Sequence, residues 1–116
     1  MITYLINLLF MAFPSEAIIE VNLTDIQKAQ NFHQLTHVNE NCAIISFNLI
    51  VMPKDNNGNI VEVINQGEKL NEKSLRQLAK VKVGDTVYLD KVKSVADCLK
   101  YQGDGHQNFV LKIAAE

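Results

Sequence analysis

Tryptophan is absent from this chain, and the other aromatic residues are few, three Tyr and five Phe. That argues against a carbohydrate platform built on stacked rings. Concentrated positive charge is missing too. The eleven Lys and Arg are scattered and outnumbered by thirteen Asp and Glu, with no basic block and no basic-aromatic stripe. A nucleic-acid surface depends on such a concentration, so no nucleic acid is expected as partner. Long apolar runs are lacking as well. Met1–Phe13 is almost wholly apolar, but as a helix it would reach only about 20 Å, short of a hydrocarbon core of about 30 Å. Internal repeats and low-complexity tracts are not found.

What is present suits one globular domain. The chain has 116 residues, 47% of them hydrophobic and 21% charged, with a net charge of −2. That is long enough for a real core and too short for two independent ones. We divide it into an apolar segment, 1–16, and a single domain, 17–116. Three readings of Met1–Phe13 stand side by side. It is a signal-peptide core, with Ser15-Glu16-Ala17 as a small-x-small cleavage site but no basic residue ahead of it. It is an extra buried strand of the fold. Or it is the edge of a longer reading frame.

Only two cysteines occur, Cys42 and Cys98. Cys42 precedes the apolar run Ala43–Met52, and Cys98 follows the strand-like run Thr86–Val95. If those strands are antiparallel neighbours, the start of one lies near the end of the other and a disulfide can form. A bridge implies an oxidising compartment such as a periplasm. The competing reading is two buried thiols acting as small hydrophobes.

Along the chain, Ala17–Val21 is a short apolar piece. Asp25–Leu35 carries apolar residues at 26, 29, 32 and 35 and predicts a short helix, with Thr24 as N-cap and Gln27 at the capping-box position. Thr36–Asn41 is polar and reads as a loop. Ala43–Met52 is a strand buried largely on both faces. Pro53–Asn59 is the strongest turn signal, because Pro cannot donate to a ladder and Asn-Gly tolerates positive φ. Ile60–Ile64 is the return strand. Asn71 then caps a helix over about 71–81, with Leu75, Leu78 and Ala79 as its apolar stripe and Lys80 and Lys82 at its end. Val83-Gly84-Asp85 is a turn. Thr86–Val95 alternates, but its register slips between Leu89 and Val92, which predicts a β-bulge near Asp90-Lys91. Gly103-Asp104-Gly105 is a turn, and Phe109–Ile113 is the closing strand. The expected core is Ile45, Phe47, Leu49, Val61, Val63, Leu70, Leu75, Leu78, Val87, Leu89, Val92, Val110 and Ile113.

Three constellations invite chemistry. His33 and His37 are four apart, with Glu40 three further on, a spacing that could hold zinc on one helix face. The metalloprotease pattern needs Glu directly after the first His, and Gln34 stands there. Asp55, Asn57 and Asn59 have the odd-position spacing of a calcium loop, yet Gly58 is off register and Gln66 replaces the bidentate Glu. Asp104 and His106 could pair as acid and base, but Ser15, Ser46, Ser74 and Ser94 all have structural or surface readings rather than that of an activated nucleophile. Accordingly no catalytic, metal or cofactor residue is assigned, and no small-molecule substrate is expected.

From about Val38 to Ile113, two thirds of the chain, the sequence resembles the C-terminal domain of the GldM (PorM) family. The likeness rests on Ser46-Phe47, Asn65-Gln66-Gly67-Glu68-Lys69-Leu70 and Lys82-Val83-Gly84-Asp85-Thr86-Val87-Tyr88. It continues through Asp90-Lys91-Val92-Lys93, Gly103-Asp104-Gly105 and Val110-Leu111-Lys112-Ile113. His106 departs from the pattern, standing where that family would have a basic residue. The resemblance implies a mainly β fold, an immunoglobulin-like β-sandwich with one short inserted helix. It also implies a non-enzymatic protein-protein interaction domain of the bacterial cell envelope, from the type IX secretion and gliding motor of Bacteroidetes. The implied location is periplasmic. The implied partners are envelope proteins, among them a periplasmic ring under the outer membrane, and a second copy in a homodimer. The alternatives are a small metal-dependent enzyme or binding protein using His33, His37 and His106, and a truncated relative without motor function.

Overall fold

Period-two alternation of apolar side chains drives strands together, and here five of them form one sheet. The computed structural model describes residues 16–54, 59–95, 99 and 106–115. Its strands are β1 (Glu16–Asn22), β2 (Ile44–Met52), β3 (Val61–Gln66), β4 (Thr86–Ser94) and β5 (His106–Ala114). They lie in the order β1-β5-β4-β2-β3. β1 runs parallel to β5, and every other pairing is antiparallel. Three helices complete the described fold: α1 (Leu23–Lys28), α2 (Phe32–Thr36) and α3 (Glu72–Leu78). The chain is thus mainly β with a short helix after β3. All five described strands share one sheet, and the layer packed on its buried face is helical.

The buried face gathers Val21, Phe47, Leu49, Val51, Val87, Leu89, Val92, Phe109, Leu111 and Ile113 from four strands. Ile26, Phe32, Leu35 and Leu78 cover them from the helices. Phe32 is the keystone of this layer. Its ring lies 5.2 Å from that of Phe47 and 5.4 Å, edge-on, from that of Phe109. Each such pair adds about 0.5–1.5 kcal/mol beyond its area.

The helix predicted over Asp25–Leu35 is two helices, and its cap is not Thr24. Asn22 caps α1 by accepting the Asp25 N–H at 2.9 Å, and Ala29 then turns extended, with ψ 141. Asn31 caps α2 by accepting the Gln34 N–H at 2.8 Å, while the Gln34 carboxamide accepts the Gln30 N–H. The break has a geometric reason. At about 100° per residue, nine residues of unbroken helix would set Leu35 half a turn away from Ile26. Interrupting the helix lets both reach the core, where each is buried. The freed backbone finds partners across the fold: Phe32 N–H donates to Glu68 O at 2.8 Å, and Leu70 N–H to Gln30 O at 3.0 Å.

The core departs from expectation at Ile45, which is 48% exposed. β2 shifts register between Ile44 and Ser46 and again before Asn48, so Ile44 and Phe47 turn inward and Ile45 faces water. Val61 and Leu75 are half-buried. The bulge in β4 falls where the alternation slips. Lys91 takes a φ of 52, and its N–H donates to the Asn108 side chain at 3.1 Å in place of a ladder bond.

α3 occupies 72–78 within the predicted 71–81, its last turn tightening to three-residue bonds from Lys80 and Val81. A buried polar cluster docks it. Asn65 and Ser74 are both 0% exposed. The Asn65 amide nitrogen donates to Ser74 Oγ at 2.8 Å, and Asn65 Oδ1 accepts from Asn71 N at 2.9 Å and Ser74 Oγ at 3.1 Å. Asn71 Oδ1 accepts the Ser74 N–H. Every group in the cluster has a partner, which is the condition for burying polar atoms without loss. At the Val83-Gly84-Asp85 turn, Gly84 has φ 98. Asp85 ties that turn to β2 by accepting the N–H of Lys82 and of Lys54, each at 2.9 Å.

Candidate functional site

Among the described residues, two places could act on something else. One is the cleft beside α2, where the histidines lie. The other is the sheet face opposite the helices.

The cleft has a volume of about 720 Å³ and is lined by Asp25, Lys28, His33, Gln34, His37 and Glu40, among others. The structure therefore brings His33, His37 and Glu40 around one opening. Their geometry differs from a ligand set. His33 is 5% exposed, and its Nε2 lies 2.7 Å from the carbonyl oxygen of Cys42. A carbonyl only accepts, so Nε2 carries the proton and is committed to that bond. Nδ1 faces Glu68, 3.5 Å from its carboxylate, and makes no hydrogen bond. His37 ends α2 in the left-handed conformation, φ 61, with an exposed side chain. Among the described residues no three His, Cys, Asp or Glu side chains converge as metal ligands. His33 is better described as a strut that ties α2 to the segment entering β2.

Cys42 in that segment is buried and disulfide-bonded. Cys98, the other cysteine of the sequence, lies outside the described residues, as do Asp55, Asn57, Asp104 and Ser15. The strand ends that flank the two cysteines are neighbours: Ile44 pairs with Ser94, and Val95 N–H donates to Ala43 O at 2.9 Å. Of the other residues singled out by sequence, Ser46 is half-buried in β2 and Ser74 belongs to the buried cluster. His106 opens β5 opposite Lys93.

On the opposite sheet face, the strand register assembles an apolar row that no single strand reveals. Ile18 of β1 pairs with Val110 of β5, Val110 with Tyr88 of β4, Tyr88 with Ile50 of β2, and Ile50 with Glu62 of β3. Ile18 is 64% exposed and Ile64, near the far end of the same face, 62%. On one side of this row lie Glu20, Lys112, Thr86 and Met52, with Glu20 and Lys112 directly paired across strands. On its other side lie Asn108, Asp90, Asn48 and Ile64. All three helices pack on the other face. Sequence reading missed the row, although isoleucine, valine and tyrosine at the polar parity of four strands was its signal.

Where β4 bulges, the row borders a dimple of about 170 Å³ lined by Ile50, Tyr88, Leu89, Asp90, Asn108 and Phe109. At the β3 edge the Ile64 carbonyl is already engaged, accepting from the Asn71 amide at 3.1 Å. Comparison with protein-family models, with characterised proteins and with solved structures finds no match to this chain.

Proposed function

We propose that this chain is a non-enzymatic protein-protein interaction domain of the bacterial cell envelope. In this reading it is a relative of the C-terminal periplasmic domain of the GldM family, and its partners are envelope proteins. The observation that carries the reading is the row Ile18–Val110–Tyr88–Ile50 on a face that no described helix covers. Ile18 and Ile64 at the two ends of this face stand largely in water, with Tyr88 and Ile50 half-buried between them, and exposed apolar side chains grouped on one face are how soluble domains mark a contact surface. The Glu20–Lys112 pair and the Asn108–Asp90–Asn48 flank supply the polar rim such a surface carries.

Binding to the purified periplasmic ring proteins of a type IX secretion system, read by calorimetry, tests the proposal. The expected result is saturable binding by the full chain that is lost in Ile18→Asp with Ile64→Asp, while the melting temperature stays put. Binding that survives both changes would overturn the assignment to this face. Stoichiometric zinc, lost in His37→Ala, would turn the reading toward a metal-dependent protein.

A further inference from the structure

The geometry points to the dimple at the β4 bulge as a receptor for one basic side chain, Arg or Lys, presented by a protein partner between apolar residues. This rests on the interaction reading above and says what the partner must carry. Size comes first. At about 170 Å³ the dimple is smaller than pockets that enclose small-molecule ligands, which run about 300–1,000 Å³. It has room for one side chain.

Its lining then sets the chemistry. Ile50 and Tyr88 form an apolar and aromatic wall, and Asp90 and Asn108 supply the polar side. Asp90 is the only charged residue of the lining. It is half-buried, and neither the Arg76–Glu72 ion pair nor the His33–Glu68 contact, the close basic-acidic approaches among the described residues, includes it. Lys91 and Lys93 follow on the same strand, yet both are exposed and neither comes within ion-pair distance of Asp90. Asn48, the cross-strand neighbour of Asp90, donates to the Glu62 carboxylate at 3.1 Å. A second acidic group therefore stands one strand further on. Among the described side chains the other carboxylate of the face, Glu20, lies across from Lys112 on the far side of the row.

A long basic side chain matches each part of this arrangement. Its stem lies along Ile50 with the cation near the face of the Tyr88 ring, where a cation gains about 0.5–1 kcal/mol or more. Its head donates to Asp90 and to the Asn108 carboxamide oxygen, and a charged donor on a carboxylate makes the stronger class of hydrogen bond. The dimple lies beside the bulge, which falls between Leu89 and Val92. Bulges re-aim side chains and leave one residue outside the ladder, and they concentrate near functional positions.

The test uses the full chain, labelled with ¹⁵N, and two blocked tripeptides, acetyl-Leu-Arg-Leu-amide and acetyl-Leu-Gln-Leu-amide. The expected result is saturable amide shifts at Asp90, Lys91 and Asn108 with the arginine peptide. Binding should weaken about tenfold for the glutamine peptide and for the arginine peptide on Asp90→Asn, a loss of about 1.4 kcal/mol. Asp90→Asn should keep the spectrum of the folded chain. If both peptides bind equally along Ile18 and Ile64, or Asp90→Asn changes nothing, the basic-side-chain receptor is overturned while the interaction face stands. If neither peptide shifts the Asp90 region, the receptor is overturned outright, and the ring-protein titration still decides the face.

Discussion

The two faces of the sheet are built from similar residue types and put to different uses. One carries Phe47, Leu49, Val87, Leu89 and Leu111 under three helices, and each of these side chains is fully buried. The other carries Ile18, Ile50, Ile64, Tyr88 and Val110, and its isoleucines at β1 and β3 stand largely in water. Hydrophobic stabilisation depends on area removed from water, about 25 cal/mol per Å². The first face therefore holds the fold together, while on the second Ile18 and Ile64 keep most of their apolar area in water. Ile50 and Tyr88, half-buried, soften the division, and Val110 blurs it most. It sits on the open face yet is 5% exposed.

Mutation can break this comparison, and the sharpest blow falls on the covered face. Phe32→Ala removes the ring between Phe47 and Phe109 and should cost about 3–5 kcal/mol in urea unfolding. A loss under about 1 kcal/mol would mean that the helical layer is not what stabilises the sheet. Next in size is the strap beside that layer. We propose that Cys42 is bridged to Cys98. Reduction, or Cys42→Ser, should then cost about 2–4 kcal/mol, and thiol titration of the unfolded chain without reductant should find no free thiol.

Asn65→Ala tests the polar part of the covered face. It would strip partners from the Asn71 N–H and the Ser74 hydroxyl, at about 1–3 kcal/mol. Adding Ser74→Ala should cost less than it does alone, because one orphaned group is then already gone. Val110→Ala tests the blurred boundary, with an expected loss of about 1–2 kcal/mol, short of a deep core truncation. Smallest of all, Ile18→Asp should move stability by no more than about 0.5 kcal/mol while weakening ring-protein binding, which the further change Ile64→Asp then abolishes. A large destabilisation there would erase the distinction between the faces.

The parts of the fold that were legible in the sequence are the local ones. Asn71 as a cap, the turn at Gly84 and the slip from Leu89 to Val92 each rest on a few neighbouring residues, and each falls where it was read. What escaped depends on distant partners. The helix from Asp25 to Leu35 breaks where Gln30 and Phe32 bond to Leu70 and Glu68. Ile45 faces water because β2 shifts against β4. The candidate site shows the same limit. His33 looked like a ligand by spacing, but its Nε2 is spent on the carbonyl of Cys42, nine residues away. The open-face row exists only once four strands are in register, so no window of one strand contains it.

The parallel pairing of β1 with β5 also governs the order in which the molecule can be completed. Among the described strands β1 touches only β5, whose matching residues lie about 90 positions later in the chain. On a ribosome adding about 5–20 residues per second, β1 waits roughly 5–20 s for its partner to be made. Through that interval Val21 and its neighbours lack the one described strand they pair with. Pairs so distant in sequence are also the slowest to close in a finished chain. The earliest of the described strands is thus the last of them to be seated, and the one a neighbouring nascent copy could capture.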